Sequence, residues 1–203
     1  MMRESLLTIP VTDIFEPRCG CPICLLRDTL EKRTVEYIMG AAMMEPDVRI
    51  ETNKLGFCKT HLEQMRACKN RLSLALMLQT HLQSLDKNIF ARKSIFEGKT
   101  AKQKKVSAIN NDCFVCNKIE WGMSRLMVTT LELYSKQKEF RALFNEQEML
   151  CLPHYDLLVS MSESVDKGSR SAFIDACNAL VKKQLDLPPI FIKQGDFPGF
   201  EQE

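Results

Sequence analysis

Two pairs of metal-ligand motifs, repeated in the same order, constrain this chain more than any other feature. The first pair is Cys21-Pro22-Ile23-Cys24 and Cys58-Lys59-Thr60-His61, and the second is Cys113-Phe114-Val115-Cys116 and Cys151-Leu152-Pro153-His154. The two motifs are 33 residues apart in the first copy and 34 in the second. Each copy supplies three thiols and one imidazole, a complete tetrahedral ligand set for zinc. We therefore predict two zinc ions per chain, with the ligands Cys21, Cys24, Cys58, His61, Cys113, Cys116, Cys151 and His154.

The sequence leaves open which motifs share an ion. The nearly equal spacing favours pairing within each copy, and the alternative joins the CxxC of one copy to the CxxH of the other. In either arrangement four protein ligands close the coordination shell, so no position remains for water or substrate. We therefore predict structural rather than catalytic sites, and we expect the loss of a ligand to cost folding free energy.

Other chemistries fit the cysteines less well. Iron–sulfur clusters usually take four cysteines, and a c-type haem needs a histidine directly after CxxC, where this chain has Leu25 and Asn117. A thioredoxin-like site needs a βα context, and the sequence has almost no strand signal. Disulfides remain an alternative, although nine cysteines is an odd number and clustered Cys/His spacing in a reducing compartment points to metal.

The remaining candidate residues have simpler interpretations. Cys19 is predicted to be a bystander beside the first motif, or else a substitute ligand or exchangeable thiol. Cys68 and Cys177 are predicted to be small core residues, and His81 a surface or interfacial residue without a metal-spaced partner. Trp121 and the clustered methionines are predicted to lie in the core (Met39, Met43, Met44, Met123, Met127).

Composition favours a helical, water-soluble protein. The 203 residues can form one domain or two small ones, and Gly and Pro are few, at eight each. β-branched runs are scarce, which favours helices. No segment approaches the roughly 18–20 apolar residues that cross a bilayer, and residues 1–10 lack the features of a secretory signal. We expect a cytoplasmic protein that does not bind membranes.

The motif positions predict how the chain is organised. Residues 1–97 form a first zinc-binding helical repeat, with one long helix over 59–96 because that segment contains no Gly or Pro. Residues 98–112 form a basic linker, 113–186 a second zinc-binding helical repeat, and 187–203 a Pro/Gly/Phe-rich tail. Aligning the repeats on their ligands pairs apolar residues, such as Val35 with Met127. We predict a mostly α fold of two tandem CxxC–CxxH repeats with long helices packed across their junction and pseudo-twofold character.

Charge is distributed unevenly along the chain. The net charge is only +2, but residues 54–118 contain thirteen basic and four acidic side chains, a local excess of nine positive charges. This excess favours an anionic partner such as nucleic acid. The alternative is a solvated helix face followed by a soluble linker. The chain has neither an RNA-binding aromatic signature nor a C₂H₂ finger pattern.

The first motif pair carries a family resemblance. CPIC, a helix ending at Glu45-Pro46-Asp47, and GFCKTH at Gly56–His61 resemble an uncharacterised bacterial family, catalogued as a domain of unknown function, with paired CPxC and GFCxxH motifs. The resemblance covers roughly residues 10–185. In the second copy Phe114 replaces the proline, and Met149-Leu150 stand in place of Gly-Phe, while the ligands remain. The resemblance implies no known activity.

The leading functional hypothesis is a non-enzymatic interaction or regulatory module that is held together by zinc and acts on an unknown protein partner. One alternative is a zinc–thiolate redox sensor, in which oxidation ejects the metal and Cys19 acts as a resolving thiol. Another is binding of nucleic acid or another polyanion through residues 54–118. Catalysis ranks last because two of the three histidines are assigned to metal, which leaves no nucleophile–base pair, paired carboxylates or open metal site. The partner and the oligomeric state stay open.

Overall fold

A computed structural model describes residues 8–90 and 99–185, and within these ranges the secondary structure is helical without strands. The prediction of a mostly α fold is therefore confirmed. Single turns of 3₁₀ helix lie at Ala41–Met44 and Ser162–Ser164, and a short π-helix spans Asp86–Phe90. The α-helices are α1 Thr8–Phe15, α2 Pro22–Met39, α3 Pro46–Leu55, α4 Lys59–Ala67, α5 Arg71–Leu85, α6 Lys99–Asn111, α7 Phe114–Lys136, α8 Lys138–Asn145, α9 Leu152–Ser160 and α10 Arg170–Leu185.

The described residues form two compact units. The terminal unit comprises residues 8–25 and 127–185, and the middle unit comprises residues 26–90 and 99–126. The boundaries fall within the sequences of α2 and α7. These units do not coincide with the two sequence repeats, since each unit contains the CxxH motif of one copy and the CxxC motif of the other.

The terminal unit is built around packed aromatic rings. The Phe15 ring from α1 lies 5.0 Å from Phe140 and 5.7 Å from Phe144, both on α8. Tyr134 on α7 packs edge-on against Phe173 on α10, with 4.9 Å between ring centroids. The Tyr134 hydroxyl donates a hydrogen bond to the carbonyl of Ala172. Offset and edge-to-face contacts of this kind each contribute roughly 0.5–1.5 kcal/mol beyond the burial of their surface.

The middle unit has an aliphatic and methionine-rich core, to which α2, α4, α5 and α7 contribute. Its α3 and α5 helices are joined by polar contacts as well as by packing. The Arg49 guanidinium donates to the carbonyl of Leu76, and the Thr80 hydroxyl donates to the Asn53 side chain at 2.8 Å. The buried core residues are Val35, Ile38, Met39, Met65, Met77, Cys113, Phe114, Val115 and Ile119.

The prediction of one long helix over residues 59–96 is wrong, because the helix is interrupted between α4 and α5. Lys69 adopts a positive φ of 61°, which ends α4 in the left-handed region. The Asn70 side chain then caps α5, accepting a hydrogen bond from the backbone N–H of Ser73 and donating one to the carbonyl of Met39. Asn is among the best N-cap residues, so a new helix starts without Gly or Pro. Residues 91–96 lie outside the described residues.

Other local predictions have mixed outcomes. Residues 99–111 of the predicted basic linker are helical, as α6. Cys177 is fully buried, as predicted, but Cys68 is exposed and Trp121 is 60% exposed, so the core assignment of these two is wrong. Among the methionines, Met39 and Met127 are buried while Met44 is 71% exposed. The predicted tail, residues 187–203, lies outside the described residues.

Within the described part of the chain, no helix combines the length and the apolar character needed to cross a bilayer.

Candidate metal centres

The eight predicted ligands lie in two groups of four, and each group combines motifs from both sequence copies. Cys21, Cys24, Cys151 and His154 form one group, here called the Cys21 cluster, in the terminal unit. Cys58, His61, Cys113 and Cys116 form the other, the Cys58 cluster, in the middle unit. The pairing favoured from the spacing, within each copy, is therefore wrong, and the alternative that crosses the copies is the one adopted.

The Cys21 cluster is assembled at the first turns of two helices. Cys21 directly precedes α2 and Cys24 lies in its first turn, while Cys151 is the N-cap of α9 and His154 lies in the first turn of α9. The turn before α2 is further held by Glu148, whose carboxylate accepts a hydrogen bond from the backbone N–H of Gly20. Each of the two helix starts therefore contributes two of the four candidate ligands to the cluster.

The Cys58 cluster has the same construction from different helices. Cys58 is the N-cap of α4 with His61 in the first turn, and Cys113 directly precedes α7 with Cys116 in the first turn. The two helix starts are joined directly, since the backbone N–H of Phe114 donates to the carbonyl of Gly56 at 3.0 Å. Gly56 adopts φ 65° and ψ −157°, a conformation that is essentially restricted to glycine.

Distances within the Cys21 cluster suit a four-coordinate ion. The Nδ1 atom of His154 lies 3.1, 3.3 and 3.5 Å from the sulfurs of Cys151, Cys24 and Cys21. The sulfurs of Cys24 and Cys151 lie 3.7 Å apart. A tetrahedral zinc ion, with bonds of about 2.3 Å to sulfur and about 2.0 Å to nitrogen, would separate S and N ligands by roughly 3.5 Å and two sulfurs by roughly 3.8 Å. The donor atoms are therefore already at ligand spacing.

The Cys58 cluster has closely similar distances. The Nδ1 atom of His61 lies 3.1, 3.3 and 3.5 Å from the sulfurs of Cys58, Cys113 and Cys116. The sulfurs of Cys58 and Cys116 lie 4.0 Å apart. Both histidines therefore present Nδ1, not Nε2, to their three sulfurs. Each cluster is a Cys₃His set that can hold a metal ion.

One thiol in each cluster has a raised pKa, and burial is the largest cause in both. Burial, followed by the neighbouring Cys21 and Cys151, raises the pKa of Cys24 to about 12. Burial, followed by Cys113 and Cys58, raises the pKa of Cys116 to about 12. A bound cation reverses this effect, because it stabilises each thiolate directly. Cys24 and Cys116 therefore release their protons when a metal ion binds.

Comparison with known protein families places most of the chain in one family. A model described as "Family of unknown function (DUF6062)" matches residues 2–187. The chain belongs to this family. No curated protein and no solved structure matched it. The resemblance inferred from the CPIC and GFCKTH motifs is confirmed. In this family member the CPIC motif belongs to the Cys21 cluster and the GFCKTH motif to the Cys58 cluster.

Glu31 on α2 belongs to neither kind of motif, yet it contacts one of the candidate ligands. Its Oε1 atom lies 2.8 Å from Nε2 of His61, the ring nitrogen that faces away from the three sulfurs. The Gln64 amide donates a hydrogen bond to the same oxygen at 2.9 Å. Glu31 is 30 residues from His61 in sequence, and no spacing rule joins a glutamate to a CxxH motif across that distance.

The cysteines outside the clusters differ in accessibility. All nine cysteines lie among the described residues, and none of them is in a disulfide. Cys19 is exposed, two residues before Cys21 and between two residues of positive φ, Arg18 and Gly20.

His81 is half-buried, and its Nδ1 atom lies 3.0 Å from the carbonyl oxygen of Asn53 in the middle unit. It belongs to neither the Cys21 cluster nor the Cys58 cluster.

Proposed function

We propose that this protein is a non-enzymatic zinc-binding module in which two structural Cys₃His sites hold a helical scaffold for interaction with a protein partner. The observation that carries the proposal is that each cluster brings four ligand atoms within 4.8 Å of one another. Four protein ligands complete a tetrahedral shell, which is the hallmark of structural rather than catalytic zinc.

The ligand types support zinc over other metals. Thiolate and imidazole ligands in a tetrahedral arrangement suit Zn²⁺, whereas an iron–sulfur cluster usually takes four cysteines. Calcium and magnesium prefer oxygen ligands, and neither cluster contains a carboxylate among its four ligands. We therefore assign two zinc ions per chain.

The way each cluster joins distant segments supports a structural role. The Cys21 cluster brings together residues 127 positions apart, and the Cys58 cluster brings together residues 58 positions apart. An ion at such a junction restricts the unfolded chain as a cross-link does. Because the ligands must converge for the ion to bind, much of its binding free energy is available to stabilise the fold.

One exposed pair of side chains supports an interaction role for the middle unit. Trp121 on α7 is 60% exposed, and the guanidinium of Arg125 lies over its ring, 4.4 Å from the centroid. Tryptophan and arginine are the residue types most enriched at energetic hot spots of protein interfaces. A protein partner is therefore favoured, and Trp121→Ala is the variant that should weaken its capture without changing the metal content.

Metal analysis of the protein purified without added metal tests the proposal. We expect two zinc ions per chain by elemental mass spectrometry, and a loss of helical circular dichroism and of thermal stability when a strong chelator removes them. Re-addition of Zn²⁺ should restore both signals. A metal-free protein with the same helicity and the same unfolding midpoint would overturn the structural role.

A zinc–thiolate redox sensor is a second candidate, favoured by the exposed Cys19 beside the Cys21 cluster. Hydrogen peroxide would oxidise one cluster thiolate to a sulfenate, with release of water. The Cys19 thiol would then form a disulfide with that sulfur as hydroxide leaves, and the ion would be released. Cys19→Ser should abolish reversible zinc release, while the control Cys68→Ser, at another exposed cysteine, should not. Equal, irreversible release in both variants would exclude the sensor.

A further inference from the structure

The histidine of the Cys58 cluster has a carboxylate on its far side. His61 places Nδ1 among the three sulfurs and Nε2 against Oε1 of Glu31, at 2.8 Å. Both side chains are largely removed from solvent, with 6% of the His61 side-chain surface and 17% of the Glu31 side-chain surface exposed. At this burial the contact is shielded from water, so its geometry constrains the imidazole more than a surface ion pair would.

A second contact fixes the carboxylate itself. Gln64 lies three residues after His61 on α4 and therefore on a neighbouring part of the same helix face. Its amide donates to the same Glu31 oxygen at 2.9 Å. Glu31 thus receives two hydrogen bonds from one face of α4, and its position relative to the imidazole ring is determined by two contacts instead of one.

The contact has a chemical consequence for the ring. A neutral imidazole carries one proton, and only the unprotonated nitrogen has a lone pair for a metal. If Nε2–H donates to the Glu31 carboxylate, the lone pair is on Nδ1, the nitrogen that faces the sulfurs of Cys58, Cys113 and Cys116. A carboxylate acceptor also increases the donor strength of the opposite nitrogen towards a metal.

We propose that Glu31 is a positioning residue for zinc in the Cys58 cluster: it holds His61 in the tautomer and orientation that bind the ion through Nδ1. Glu31 is not itself a ligand, since it contacts the nitrogen on the opposite side of the ring. This inference rests on the proposed zinc binding, and it adds a residue outside the Cys₃His set on which the affinity and ligand geometry of one site depend.

Nitrogen NMR of the zinc-loaded full chain tests the tautomer directly. The chain has three histidines, so ¹⁵N-histidine labelling gives a simple spectrum, and His81→Asn removes the signal that does not belong to a cluster. We expect His61 to bind zinc through Nδ1 and to carry its proton on Nε2. Zinc bound through Nε2 of His61 would overturn the inference.

Substitution of Glu31 tests the effect on binding. Competition with a chromogenic chelator should show that one of the two sites in Glu31→Ala and Glu31→Gln has lost roughly 10- to 100-fold in zinc affinity. The loss should be smaller for Gln, because the amide oxygen can still accept from Nε2–H. Glu36→Gln is the matched control, since it removes the same charge from an exposed position on α2, and it should leave both affinities unchanged.

The outcomes separate this inference from the proposed function. If the wild-type chain takes up no zinc, the zinc proposal itself fails. If it takes up two ions but both Glu31 variants keep wild-type affinities, only the role of Glu31 fails. Should Glu31→Ala not fold, the Gln variant and the wild-type NMR measurement still decide. Cobalt substitution adds a readout, because a changed His61 ligand alters the visible absorption of that site.

Discussion

Cys24 and Cys151 lie with their sulfurs 3.7 Å apart although 127 positions separate them in the chain. They come from different copies of the repeated motif pair, and the same crossing joins Cys58 to Cys116 at 4.0 Å. The metal ligands therefore do not define two consecutive domains. Each cluster instead closes a long segment of chain, so that a bound ion acts as a cross-link between distant parts of its unit.

Substituting two candidate ligands at a time should show, from the zinc content alone, that each cluster combines motifs from both copies. In Cys24→Ser/Cys151→Ser both changes fall in the Cys21 cluster, so the protein should retain one zinc ion per chain. In Cys24→Ser/Cys58→Ser each cluster loses one ligand, and the protein should retain none. Elemental analysis of the purified variants measures both. Pairing within each copy requires the reverse result, one zinc in the second variant and none in the first.

The eight candidate ligands could be identified from the sequence because their spacing is chemically specific, but the way they group in space could not. CxxC and CxxH each lie at a helix start, and the two copies have nearly the same separation between motifs. Either pairing therefore satisfies the local geometry. The choice depends on long-range packing, for example the hydrogen bond from Phe114 N–H to the Gly56 carbonyl, which joins the starts of α4 and α7.

The interruption between α4 and α5 shows a second limit of prediction from the sequence. The prediction of one helix depended on the lack of Gly and Pro in this segment. The helix is nevertheless interrupted at Lys69 and Asn70. The Asn70 side chain replaces the missing backbone bond at the start of α5, which is the chemistry of an N-cap. The asparagine was visible in the sequence. Its second contact, to the carbonyl of Met39, depends on tertiary structure.

Gly56 should be much less tolerant of alanine than Gly20, although both have a positive φ. A Cβ at position 56 would lie 2.8 Å from Nε2 of His81, whereas a Cβ at position 20 would have no atom within 4 Å. Gly20→Ala should cost about 1–2 kcal/mol from the backbone conformation alone. Gly56→Ala should cost roughly 1–3 kcal/mol in backbone strain, and the displacement of His81 should add to this.

Urea unfolding followed by circular dichroism measures both glycine variants. Adding His81→Ala to Gly56→Ala should recover part of the lost free energy of unfolding, because the contact is relieved while the backbone strain remains. Equal destabilisation by the two single glycine variants would show that the contact with His81 does not contribute to the loss of unfolding free energy.

The Cys21 cluster should release zinc to a chelator before the Cys58 cluster does. One of its four ligands is buried, compared with two in the Cys58 cluster, where His61 is only 4% exposed. The segment closed by the Cys21 cluster is longer, 127 against 58 positions. This difference is worth only about 0.7 kcal/mol in loop entropy, so access of the chelator should decide the order of release.

Variants that keep one cluster each measure the two release rates separately. Cys116→Ser retains the Cys21 cluster and should lose its zinc quickly, while Cys24→Ser retains the Cys58 cluster and should lose its zinc slowly. Stopped-flow absorbance of a zinc indicator follows both reactions at the same chelator concentration. Slower release from Cys116→Ser than from Cys24→Ser would contradict the burial argument.

Alkylation should divide the three cysteines outside the clusters into two reactive thiols and one inert thiol. Cys19 and Cys68 are exposed, whereas Cys177 on α10 is fully buried, and burial raises the pKa of the Cys177 thiol to about 12. Because the thiolate is the reacting species, iodoacetamide should modify Cys19 and Cys68 in the zinc-loaded protein and leave Cys177 intact. Peptide mass spectrometry identifies the modified sites. Cys177 should react only after urea unfolds the terminal unit, and its modification under native conditions at the rate of Cys19 would mean that the packing around α10 opens readily.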